Sequence, residues 1–185
     1  MNRINMFFLW ALLALVFVGC EKIKSYPEVP RVEYDAYKVS LSPDILQPEL
    51  LNYDVTFKFR VEDGNGDIGL GQGDTLGVFA PKSKYYFNLF VALYRKVNGV
   101  YVKDANATGW NWRLSDKMIR TGGNKTLIAD VEKTNTLLPD DFTAVDTVRF
   151  EFYVVDRALN SSDTIHTDDI PFRVQTDGYV KKTGN

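Results

Sequence analysis

The chain has 185 residues, 45% hydrophobic and 14% aromatic, with 22 Lys and Arg against 24 Asp and Glu for a formal net charge of -2. That length is one ordinary domain with or without a tail, and the aromatic content excludes wholesale disorder. The charge balance lacks the basic excess of a nucleic-acid binder, and a single Cys and a single His exclude an intrachain disulfide and most zinc or Cys-His chemistry.

The chain begins as an address. Arg3 is the only charge before an uncharged apolar run over residues 6–18. A membrane-spanning helix needs about 20 apolar residues; this run is shorter and fits the core of a signal peptide. Phe17-Val18-Gly19-Cys20 follows and resembles a bacterial lipobox, with Phe17 where Leu is usual. This predicts a signal peptide over 1–19 and lipidation of Cys20, whose acyl chains would hold the protein on a membrane. The alternatives are a plain secretory signal with an incidental Cys, or a short anchor helix. Residues 20–30 follow as lipidated Cys and flexible tether, charged and broken by Pro27 and Pro30. Residues 31–185 are the folded domain.

Within that domain the pattern is β. An early strand lies near 32–41. In 51–62, Val55, Phe57, Phe59 and Val61 alternate with Thr56, Lys58, Arg60 and Glu62, the period of a half-buried strand. Residues 85–97 are apolar on both faces, which suits a central strand covered on both sides, at least in part. Asn98-Gly99 predicts a type I′ hairpin turn, with the return strand beginning at Tyr101. A weaker strand covers 126–132, a strong one 147–155 with Val148, Phe150, Phe152 and Val154 inward, and a last one 170–174. Pro139-Asp140-Asp141-Phe142 suits a single helical turn. About seven strands separated by turns predict an all-β antiparallel sandwich.

One loop carries candidate chemistry. Residues 62–75 supply Asp63, Asn65, Asp67 and Asp74 as hard oxygen donors among five glycines, and Ca²⁺ takes six to eight oxygens in flexible geometry. Asp63-x-Asn65-x-Asp67 matches the first ligand positions of a calcium loop. Ile68 stands where an EF-hand needs Gly, and Asp74 where it needs Glu, so the loop is not an EF-hand. If the sandwich is Ig-like, 51–62 and 147–155 correspond to strands B and F. Their following loops then share a pole, bringing Asp156 and Asn160 near Asp63–Asp67. The plain alternatives are a Gly/Asp turn whose side chains cap backbone amides, and an ion pair of Asp63 or Asp67 with Arg157.

These two segments, Asp63-Gly-Asn-Gly-Asp-Ile-Gly-Leu70 and Asp156-Arg-Ala-Leu-Asn-Ser-Ser162, together with the lipobox, resemble a group of uncharacterised Bacteroidota lipoproteins with a single Ig-like or fibronectin-III-like domain. The resemblance implies an exported, lipid-anchored β-sandwich at the cell envelope, with the outer membrane as the expected site. It implies no activity.

Trp110 and Trp112, two apart, would share a strand face, either as a sugar-stacking platform or as core. The lone His166 has no nucleophile elbow near it. Asp140-Asp141 and Asp168-Asp169 are adjacent pairs, which on a strand point to opposite faces and make no glycosidase couple. The expected role is a non-catalytic binding or structural module of the envelope, with an envelope protein or glycan as partner and no nucleic acid. The alternatives are a calcium-stabilised adhesion or carbohydrate-binding module, and an enzyme of unfamiliar type.

Overall fold

The computed structural model describes residues 25–105, 109–119, 121–122 and 125–184. The signal peptide and Cys20 lie outside these residues. The chain forms β1 (Arg31–Pro43), β2 (Leu51–Asp63), β3 (Leu89–Val97), β4 (Val100–Lys103), β5 (Leu127–Leu137), β6 (Val148–Val154), β7 (Ile165–His166) and β8 (Val180–Lys181). They make two four-stranded antiparallel sheets, ordered β5-β2-β1-β8 and β4-β3-β6-β7. The protein is an all-β sandwich. No helix among the described residues is long and apolar enough to cross a membrane.

Alternation in β2 builds one wall of the core. Val55, Phe57, Phe59 and Val61 are fully buried, facing an equally buried Val148, Phe150, Phe152 and Val154 from β6. The ring of Phe57 lies 5.2 Å from Phe150 and 5.0 Å from Phe152, so aromatic contact joins the two sheets at their centre. In β1 a bulge between Tyr34 and Ala36 shifts the alternation by one residue, which lets Tyr34 and Tyr37 both face inward. The extra residue, Asp35, turns outward and pairs with Lys181 of β8 at 2.8 Å.

The hairpin between β3 and β4 turns at Asn98 (φ 49°) and Gly99 (φ 81°), the two positive φ values that a type I′ turn demands. Pro139–Phe142 forms a short 3-10 turn with Pro at its start, as the sequence predicts.

Two strand assignments need correction. The strand beginning near 126 continues to Leu137 and pairs with β2 along its whole length. Its second half, Lys133-Thr-Asn-Thr, shows little apolar alternation because polar residues, Lys133 and the buried Asn135, fill its inward positions. The expected strand 170–174 does not form. Ile170 makes one isolated bridge to Val148. Pro171 then has no N–H to extend the ladder, and Val174 N–H instead closes a turn on the Pro171 carbonyl. The partner of β6 on that side is β7.

Candidate functional site

The loop after β2 and the corner after β6 emerge at the same pole, and residues 26–30, which lead into β1, lie there too. Gly64 N–H donates to the Pro27 carbonyl at 2.8 Å. A Cβ at Gly64 would sit 2.4 Å from the Tyr26 carbonyl oxygen and 2.8 Å from that of Pro27, so only glycine lets this segment come so close.

Asp63 is fully buried. Its Oδ2 accepts from Asp67 N–H at 2.9 Å, an ordinary turn-capping bond. Oδ1 of Asp63, Asn65 and Asp67 is buried and outside ideal hydrogen-bond geometry, while the Asn65 and Asp67 backbone N–H groups lie close enough to the Asp63 and Asp67 carboxyls to favour their charged forms. Buried polar atoms are nearly always partnered, and here the partners are backbone N–H groups of the same turn. Burial, then the negative charges of Asp67 and Asp156, push the Asp63 carboxyl up to about 6 against the bonds from Asp67 and Asn65 N–H. Burial and Asp156 likewise raise Asp67, with Glu28 adding to the effect. These causes place four carboxylates in one electrostatic neighbourhood.

Asp156 is buried. Both of its oxygens are engaged by Asn160, Oδ1 from the backbone N–H and Oδ2 from the side-chain amide, each at 2.8 Å. Asp156 thus bonds its own turn. Asp74 does not join Asp63–Asp67. Arg157 takes it instead, with Nη1 on Oδ2 at 2.7 Å and Nη2 on Oδ1 at 2.8 Å. Asp74, rather than Asp63 or Asp67, is the acid that pairs with Arg157. Among the described residues, no three His, Cys, Asp or Glu side chains group closely enough to hold a metal.

Trp110 and Trp112 are half-buried and pack against the core. Trp110 tilts over Phe150 at 5.6 Å, and the ammonium of Lys133 lies 4.6 Å from the Trp112 ring. The backbone of Trp112 bridges that of Leu89 in both directions.

Aromatic side chains meet solvent elsewhere. The register of β3, β4 and β6 puts Phe90, Tyr94, Tyr101 and Tyr153 on the outer face of their sheet. Phe90 and Tyr153 stack at 4.8 Å with an interplanar angle of 10°. Beside them runs an open groove of about 270 Å³ lined by Lys103, Asp104, Asn111, Glu151 and Thr164. The signal was present in the second apolar face of 85–97, which a strand covered on one side leaves in view. His166 is exposed on β7 opposite Glu151, and its Nδ1 lies 2.9 Å from the Thr167 carbonyl.

Asn88, which the sequence did not single out, organises this region. Buried between the loop and β3, its amide donates to the Ile68 carbonyl and its oxygen accepts from Leu114 N–H at 2.7 Å.

No family model, curated protein or solved structure matches the chain.

Proposed function

We propose that this protein is a cell-envelope lipoprotein: a signal peptide, acylated Cys20, a short spacer and one Ig-like sandwich acting as a non-catalytic binding or structural module. The observation that carries the reading is the sequence run 6–20. Its uncharged core ends in Gly19-Cys20 with the chain's only cysteine at the lipobox position. The strand order supports the Ig-like part, since β2 lies beside β5 and β3 beside β6, as B lies beside E and C beside F in that fold. A domain beginning at Arg31 leaves a spacer of ten residues after Cys20.

The test is metabolic labelling with a fatty acid, followed by membrane fractionation. The wild-type chain incorporates label and sediments with membranes. Cys20→Ala does neither. A Cys20→Ala protein that still takes label refutes the anchor.

A second reading, a glycan-binding module, is favoured by the outward-facing Phe90–Tyr153 stack and the groove beside it. Flat aromatic faces flanked by Lys103, Asp104, Asn111 and Glu151 suit a sugar ring, which offers C–H bonds on its faces and hydroxyls at its edge. Binding on a glycan array that is lost in Tyr153→Ala supports it. An array with no signal above background refutes it.

A further inference from the structure

We propose that the loop over residues 75–87 seats the domain on a lipid surface, with Leu76 and Val78 entering the headgroup layer and Lys82 and Lys84 meeting its negative charge. The inference rests on the envelope-lipoprotein reading, because the acylated N-terminus is what brings this end of the sandwich to a membrane.

The loop leaves β2 at Asp63 and returns to β3 at Leu89, so both its ends lie at the pole where residues 26–30 enter the domain. The bond from Gly64 N–H to the Pro27 carbonyl fixes that neighbourhood. A chain anchored at Cys20 reaches Arg31 through residues 21–30, which span at most about 35 Å. The acyl chains therefore hold this end, of the two, against the membrane.

At that end Leu76 is 82% exposed, Val78 47%, and Val29 of the entering segment 48%. The loop that carries the first two is pinned at its base. Arg113 donates to the carbonyls of Gly71 at 2.7 Å, Asp74 at 3.0 Å and Tyr86 at 2.6 Å, so one guanidinium ties both ends together. Arg157 holds Asp74 from the corner after β6 and lies 5.5 Å from the centre of the Phe79 ring. Between these pins, Phe79 N–H donates to the Leu76 carbonyl at 3.2 Å and the Ser83 hydroxyl to the Val78 carbonyl at 2.6 Å. Two arginines thus fix a turn whose aliphatic side chains stay in water, an arrangement that is unfavourable until an apolar phase covers them.

Charge selects a lipid surface as that phase. Residues 75–87 contain Lys82 and Lys84 and no Asp or Glu, and the acid just before them, Asp74, is paired with Arg157. Tyr85 and Tyr86 follow, half-buried. Aliphatic tips flanked by lysines and tyrosines suit the boundary between anionic headgroups and acyl chains. The far pole supplies the contrast. Ile45 and Leu46 are 95% and 88% exposed there, but residues 39–57 carry Asp44, Glu49 and Asp54 and no Lys or Arg. The 13 residues of β1 set that end about 40 Å from the tether.

The experiment uses the full chain reconstituted into vesicles of phosphatidylethanolamine and phosphatidylglycerol. A thiol-reactive fluorophore is placed at Leu76→Cys or, at the far pole, at Ile45→Cys; neither side chain belongs to the buried core. Lipids carrying a nitroxide near the headgroup serve as quencher. The Leu76 probe should emit further to the blue and be quenched, and the Ile45 probe should do neither. Lys82→Glu with Lys84→Glu should weaken the seating by at least about fivefold for each lysine removed and release most of the quenching. A Leu76 probe quenched no more than the Ile45 probe overturns the proposal. A Leu76 probe shielded from aqueous iodide but untouched by the nitroxide lipid overturns it in favour of a second copy of the chain. Acylation is read separately, since the only thiol of the wild type is Cys20 and an acylated Cys20 takes up no fluorophore. A wild type that takes up label refutes the anchor, and an unquenched Leu76 probe in a chain whose Cys20 takes none refutes the seating alone.

Discussion

Arg157 grips Asp74 across 83 residues of sequence with two parallel hydrogen bonds of 2.7 and 2.8 Å. The pair joins the corner after β6 to the far end of the loop after β2. Arg157 Nη1 also donates to the Gly69 carbonyl at 3.2 Å, while Asp74 Oδ2 accepts from Gly71 N–H at 2.7 Å. The arginine therefore closes the loop as well as pairing a charge.

Arg157→Ala is expected to cost about 1–2 kcal/mol in denaturant unfolding, the range of charge-assisted bonds reduced for partial solvent access. Arg157→Lys should recover less than half, because one ammonium cannot reproduce a planar fork. The bond from Arg157, then that from Gly71, hold the Asp74 carboxyl down at about 2. Its pKa is lower folded than unfolded. The contribution is thus complete above the ordinary carboxylate value and fades as pH falls from about 4 towards 2. A pH series of unfolding curves should show the Arg157→Ala deficit shrinking over that window.

Asn88 makes a sharper prediction. Its side chain satisfies the Ile68 carbonyl and the Leu114 N–H, and the surroundings are buried. Asn88→Ala leaves both backbone groups without partners, at about 1–3 kcal/mol for each desolvated group. Asn88→Asp keeps the acceptor for Leu114 N–H but sets an anion against the Ile68 carbonyl. Both variants should unfold at lower denaturant with an unchanged slope, and Asp should recover at low pH, where the carboxyl regains a proton to donate.

How much of this was legible follows from range. The inward face of β2 and the Asn98-Gly99 turn are local: the first needs only a period of two, the second only two positive φ values. The shared pole of Asp63 and Asp156 was also legible, because the fold class fixes which strands run the same way. The partners were not. Nothing near Arg157 distinguishes Asp74 from Asp63 or Asp67, since the choice depends on how the loop closes on itself. Asn88 sits between Phe87 and Leu89 as one polar residue in an apolar run, a signal of a buried amide that alternation alone passes over. Lys133–Thr136 lies beyond the expected 126–132 strand because its inward positions are polar, Lys133 and the buried Asn135, and Thr134 meets Thr56 through a hydroxyl pair at 2.8 Å.

Asp169 gives a second acid-sensitive contact, on the outer face of the other sheet. Lys96 Nζ donates to Oδ2 and Arg149 Nη2 to Oδ1, each at 2.7 Å. Burial raises this carboxyl, but the bonds from Lys96 and Arg149, with the Tyr101 hydroxyl nearby, outweigh it and hold it well below the usual range. The sign is the same as for Asp74: stability is present above the ordinary carboxylate value and lost on acidification. In Asp169→Asn the acid limb of the stability curve should flatten. An acid limb identical to that of the wild type removes Asp169 from the account.

Gly69 and Gly73 lie in one loop and predict opposite outcomes. The chain at Ile68–Leu70 threads beside the segment at 114–115, with Leu70 N–H donating to the Leu114 carbonyl at 2.8 Å. A Cβ on Gly69 would stand 2.5 Å from the Ser115 carbonyl oxygen and 2.7 Å from the Asp116 Cα. Both are backbone atoms, so one strand of this contact must move. Gly69→Ala should cost about 1–3 kcal/mol, the usual penalty of overpacking. A Cβ on Gly73 meets nothing within 4 Å, and its φ is not in the left-handed region. Gly73→Ala therefore removes unfolded-state freedom without a clash and should gain about 0.4–1 kcal/mol. Parallel denaturant titrations of the two variants separate close approach from flexibility as the reason this loop is rich in glycine. If Gly69→Ala matches the wild type, the contact with 114–116 is looser than the geometry states. If Gly73→Ala loses stability, the loop needs freedom at that position as well.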